Sequence, residues 1–66
     1  MRKLRKGDRA QYIGDNPLMI GHTFTVIKRE YNEVLIYAPI KYLDGSIHYS
    51  RQFIAVSDFI LQEEQA

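Results

Sequence analysis

The sequence predicts one small all-β domain, a barrel of about five short strands with a 3₁₀ turn before the last. Three observations predict it. The apolar runs are of strand length, and each is closed by glycine, asparagine or proline. Five tyrosines and three phenylalanines, with many β-branched residues, favour pleated over helical backbone. The chain has 66 residues, 45% of them hydrophobic, and no cysteine, so a globular domain must form without disulfides or thiolate metal sites. A chain this short buries only roughly 60% of its unfolded surface, which leaves a thin stability margin.

Gly7-Asp8 opens the first strand, residues 9–13, where Ala10 and Tyr12 share one face and Arg9 and Gln11 the other. Gly14-Asp15-Asn16-Pro17 is a dense turn signal, and 14–21 reads as a loop whose Leu18, Met19 and Ile20 pack over a barrel mouth. Residues 22–29 form the second strand. A turn at 30–33 follows, with Asn32 suited to the left-handed conformation. Residues 34–38 form the third strand, and Pro39 places it at an edge or a bulge. Residues 40–43 continue as a bent extension. Asp44-Gly45 is a type I′ hairpin signal, and 46–54 return as the fourth strand. Residues 56–59 read as the 3₁₀ turn and 60–62 as the closing strand. Phe53, Val56 and Ile60 also fit helical spacing with a cap at Ser57, but Ile60 stands where a capping box needs Glu or Gln.

Lys6-Gly7-Asp8-Arg9-Ala10-Gln11-Tyr12-Ile13-Gly14, followed by Gly21-His22-Thr23-Phe24-Thr25-Val26-Ile27, resembles the opening of KOW-type and related Src-homology-3-like small barrels. Val56-Ser57-Asp58-Phe59-Ile60 resembles the 3₁₀ turn and closing strand of the same group. The general character is similar to that of small bacterial and prophage-encoded proteins. The resemblance implies the barrel fold. Phe24 stands where the KOW pattern has a second glycine, one that helps its loop meet a partner backbone. The resemblance therefore implies the fold more than it implies nucleic-acid binding, and the fold hosts many functions.

The charge is unevenly placed. Residues 1–9 carry a net +4 and the remainder −3, for +1 overall. Residues 1–6 read as a basic arm and 63–66 as a frayed acidic tail. No run approaches the ~18 apolar residues of a membrane span, and no apolar segment follows the basic start as in a secretory signal, so a cytoplasmic protein without a membrane partner is expected. His22 and His48 lack metal-ligand spacing, no nucleophile or phosphate-loop pattern occurs, and most carboxylates fall in turns. A non-enzymatic module is expected, with no cofactor, metal or small-molecule substrate.

Two partner classes fit. A protein partner, or a second copy, would use the third strand. Val34, Leu35, Ile36, Tyr37 and Ala38 are apolar in succession, and a single barrel covers one face only. Leu35, Ile36 and Tyr37, with Leu18, Met19 and Ile20, are the candidates. Alternatively, nucleic acid would meet Arg2, Lys3, Arg5, Lys6 and Arg9 of the head. It would also meet Lys28, Arg29, Tyr31, Lys41, Tyr42, Tyr49 and Arg51, where cations interleave with aromatic rings.

Overall fold

The computed structural model describes residues 3–62, and these form six strands, one 3₁₀ turn and no α-helix. The strands are β1 (Arg9–Tyr12), β2 (Thr23–Thr25), β3 (Lys28–Glu30), β4 (Glu33–Lys41), β5 (Ile47–Ala55) and β6 (Phe59–Leu61). The 3₁₀ turn is Val56–Asp58. The all-β class is as the sequence predicts. The single closed barrel is not: the strands make two three-stranded antiparallel sheets, ordered β2-β1-β6 and β3-β4-β5.

The extra strand comes from the predicted run at 22–29, which divides between the sheets. The Val26 N–H donates to the Asp8 carbonyl, whereas the Ile27 N–H donates to the Leu35 carbonyl. Adjacent residues thus serve different sheets, and the corner falls between them. Both residues are apolar, so no breaker marks the corner in the sequence.

The core lies between the facing surfaces of the two sheets. Ala10 and Tyr12 of β1, Val34, Ile36 and Ala38 of β4, and Leu4, Met19, Val26 and Phe59 are buried together. Period-two alternation puts Arg9, Gln11, Leu35 and Tyr37 on the opposite faces. Phe59 meets Tyr12 and Phe24 edge-on, with ring centroids 5.6 and 6.3 Å apart.

Three local details correct the sequence reading. Leu4 belongs to the core, so the segment read as a basic arm is packed down at that residue. The left-handed residue of the 30–33 turn is Tyr31, with φ 49°, in place of Asn32. The β4–β5 hairpin closes on a three-residue loop, Leu43-Asp44-Gly45, with Gly45 at φ 88°, and not on a two-residue type I′ turn. Asp44 Oδ1 accepts from the Ser46 N–H at 2.9 Å and the Ser46 hydroxyl at 2.6 Å, which holds its carboxyl below the usual range. With that hydroxyl proton committed to Asp44, His48 Nε2 is the donor in its 2.9 Å contact with Ser46 Oγ.

The 14–21 loop is built from its own polar groups. The Tyr12 hydroxyl accepts from the Asn16 N–H at 3.1 Å, and Asn16 Oδ1 accepts from the Leu18 N–H at 3.0 Å. A β-carbon at position 14 would overlap that Tyr12 hydroxyl, so glycine is what lets the ring reach Asn16. The loop in turn delivers Met19 to the core.

Candidate interaction surface

The β4–β5 hairpin dominates the surface. Each strand has nine residues, and their register is unbroken from Glu33↔Ala55 to Lys41↔Ile47. β3 pairs only with Glu33, Val34 and Leu35, so the distal part of the hairpin runs on without a third strand. The molecule measures 41 × 24 × 19 Å. Along the distal part both faces are exposed: Ile40 and Tyr42 on one, Ile47 and Tyr49 on the other, and Leu43 at the tip.

The outer face is a ladder of cross-strand pairs. Leu35 stands opposite Phe53, Tyr37 opposite Arg51, Pro39 opposite Tyr49, and Lys41 opposite Ile47. Tyr37 is 51% and Tyr49 65% exposed. The Arg51 guanidinium carbon lies 5.7 Å from the centre of the Tyr37 ring. This stretch therefore carries two cations, several apolar side chains and no carboxylate. Beside it, Leu18, Phe24 and Ile27 join Tyr37, Pro39 and Tyr49 around an open groove of about 380 Å³.

Hydrogen-bonding direction follows from the hairpin end. The Tyr42 N–H donates to the Ser46 carbonyl at 2.8 Å. With an unbroken register, even-numbered residues of β4 and β5 bond to each other and odd-numbered ones point their N–H and C=O outward. The nitrogen of Pro39 thus faces away from β5, past the end of β3, which is how a proline is accommodated in a continuous strand. The expectation that Pro39 lies at an edge holds locally: β4 is the middle strand only where β3 pairs with Glu33, Val34 and Leu35, and among the described residues it has no partner strand on that side at Pro39, while β5 is an edge along its whole length.

The predicted protein-contact residues separate. Ile36 is 0% exposed and Met19 is equally enclosed, so both are core and neither can touch a partner. Leu35 is half-buried and Tyr37 exposed on the outer face, Leu18 lines the groove, and Ile20 is exposed in its loop. Exposed apolar residues that the sequence reading did not single out are Ile47, Phe53 and Leu43. Their only sequence signal is alternation with polar residues along β5 and a leucine inside a turn.

The predicted nucleic-acid residues do not gather into one stripe. Arg2 lies outside the described residues. Lys3, Arg5 and Lys6 are exposed at the head, and Arg9 bonds to the Thr23 hydroxyl. Lys28 pairs with Glu30 at 2.7 Å. Arg29 donates to the Leu4 carbonyl at 2.9 Å and the Tyr31 carbonyl at 2.7 Å. Tyr31, 95% exposed, stands at the opposite end of the hairpin from Tyr42, whose ring stacks on His48 at 4.1 Å. Lys28, Lys41, Tyr49 and Arg51 share the outer face, but Lys28 is paired with Glu30 and stands opposite Leu35 at the other end of the row from Lys41.

Arg29 consequently acts as a clamp between the head and the Tyr31 turn. Arg29→Ala should lower stability by about 1.5 kcal/mol, the lower end of the range for hydrogen bonds to charged groups because the group is partly solvated. Chemical denaturation would show it, and an unchanged midpoint would assign Arg29 to the solvated surface instead.

Among the described residues no three His, Cys, Asp or Glu side chains gather as metal ligands, and no helix is long and apolar enough to cross a membrane. Compared with known proteins, the chain matches no family model, no curated protein and no solved structure.

Proposed function

We propose that the chain is a non-enzymatic binding module, a variant of the Src-homology-3-like small barrel opened into two sheets, that holds a protein partner on the outer face of the β4–β5 hairpin. One observation carries this reading: Tyr37, Ile47, Tyr49 and Phe53 are exposed together on that face, and no segment among the described residues covers them. Contiguous exposed apolar area on a small protein marks a contact site. Lys41 and Arg51 supply the polarity, so the complementary surface is apolar with carboxylates at its margin.

Tyr37→Glu tests it. The new carboxylate stands opposite Arg51 in the register, where an opposite-charge pair is favourable, so the fold tolerates it. It repels an acidic partner. Affinity capture from the source organism should yield a protein bound by the wild type and lost with Tyr37→Glu, at an unchanged melting temperature. Retention by the variant would overturn the reading. Captured material that is nuclease-sensitive, with binding that weakens steeply in salt, would replace it with the nucleic-acid alternative, in which Tyr37, Tyr49 and Arg51 serve as a stacking row.

A further inference from the structure

We infer that two copies of this chain pair antiparallel along β5, joining their β3-β4-β5 sheets into one six-stranded sheet about a two-fold axis at Ser50. Edge strands of monomers are normally short, charged, proline-bearing or bulged, because a free row of N–H and C=O groups invites another strand. β5 has none of these protections. It is nine residues long, its register with β4 has no bulge, it contains no proline, and Arg51 is its only Lys, Arg, Asp or Glu. Its odd-numbered residues, Ile47, Tyr49, Arg51, Phe53 and Ala55, point their backbone groups off the sheet. Among the described residues none of them has a backbone partner on that side.

Self-pairing must place odd residues opposite odd residues, which restricts the registers. Centring the axis on Arg51 sets two guanidinium groups against each other, and like charges directly opposite are unfavourable. Centring it on Ser50 gives a self-complementary ladder. Ile47 meets Phe53 of the second copy, Tyr49 meets its Arg51, and His48 meets its Gln52. Arg51 already lies over Tyr37 of its own chain, so the pairing places a second tyrosine ring on its other side. Each contact occurs twice by symmetry, as an isologous interface requires. A small core gives association a further role in stability.

The pairing uses the edge of the hairpin, whereas the proposed partner uses its outer face. Tyr37→Glu therefore leaves the edge intact, and either reading can fail alone.

The chain has no cysteine, so one introduced thiol reports one position. Ser50→Cys places two thiols at the axis as a non-hydrogen-bonded pair, the closest cross-strand arrangement. Mild oxidation should convert Ser50→Cys to a covalent dimer at least tenfold faster than Arg51→Cys. The wild type should sediment at twice its 7.8 kDa mass as concentration rises. Equal cross-linking of the two variants, or faster cross-linking of Arg51→Cys, would overturn the register. A wild type that stays at monomer mass up to about millimolar concentration would overturn the pairing, and circular dichroism on every sample separates these outcomes from unfolding.

Discussion

An Ile36→Ala protein should lose a large part of the domain's stability, with a steep fall in its urea midpoint. Ile36 lies in the middle of β4, is fully enclosed, and sits in the same inward row as Val34 and Ala38. Trimming a buried isoleucine to alanine costs about 2–5 kcal/mol, because the lost contacts are compounded by the cavity that remains. At about 0.05–0.15 kcal/mol per residue, a domain of this length has only about 3–10 kcal/mol to lose. The neighbouring Leu35→Ala removes a half-buried side chain from the outer face and should shift the urea midpoint only slightly. A folded Ile36→Ala protein with a wild-type midpoint would mean that β4 presents the other face to the core.

That contrast marks what the sequence makes legible. Period two is a rigid property of a strand, so Ala10 and Tyr12, and Val34, Ile36 and Ala38, are grouped on common faces from spacing alone, whereas spacing does not say which face turns inward, and Ile36 was expected at a partner. Asymmetry of position is harder to see. Leu4 sits among five basic residues in the first nine, and nothing in its neighbourhood says that it folds back under Arg29. Met19 is flanked by Leu18 and Ile20, and three apolar residues in a loop do not reveal which one enters the core. Tyr31 takes the left-handed conformation that Asn32 is better suited to, held by the hydrogen bond from Arg29 to its carbonyl. One local preference is overridden there by another local contact, from a side chain two residues away. The candidate surface was half visible: Tyr37, Tyr49 and Arg51 stood out as aromatics and a cation. Their assembly on one face depends on the β4–β5 register, which the three-residue loop sets.

Two proline substitutions three residues apart in β5 should have opposite outcomes, and the larger effect is loss of the fold. Gln52 is even-numbered and pairs with Ile36, so its N–H is directed at β4 beside the most enclosed part of the core. Gln52→Pro removes that ladder bond, leaves the Ile36 carbonyl buried without its donor, and forces a ring into the interstrand space. The combined cost is about 3 kcal/mol or more, comparable with the whole stability margin. Tyr49 is odd-numbered, points its N–H off the sheet, and stands directly opposite Pro39, a proline that β4 already accommodates by the same geometry. Tyr49→Pro should therefore keep the far-ultraviolet circular dichroism of the wild type, with a melting temperature lower by a few degrees at most. Because that substitution removes an outward donor next to Ser50, it should also abolish the covalent dimer of the Ser50→Cys protein when the two changes are combined. The alternation of hydrogen-bonding direction along β5 is tested by the pair. If Tyr49→Pro unfolds the domain as completely as Gln52→Pro does, both sides of β5 are paired in the folded protein, and the strand is not an edge.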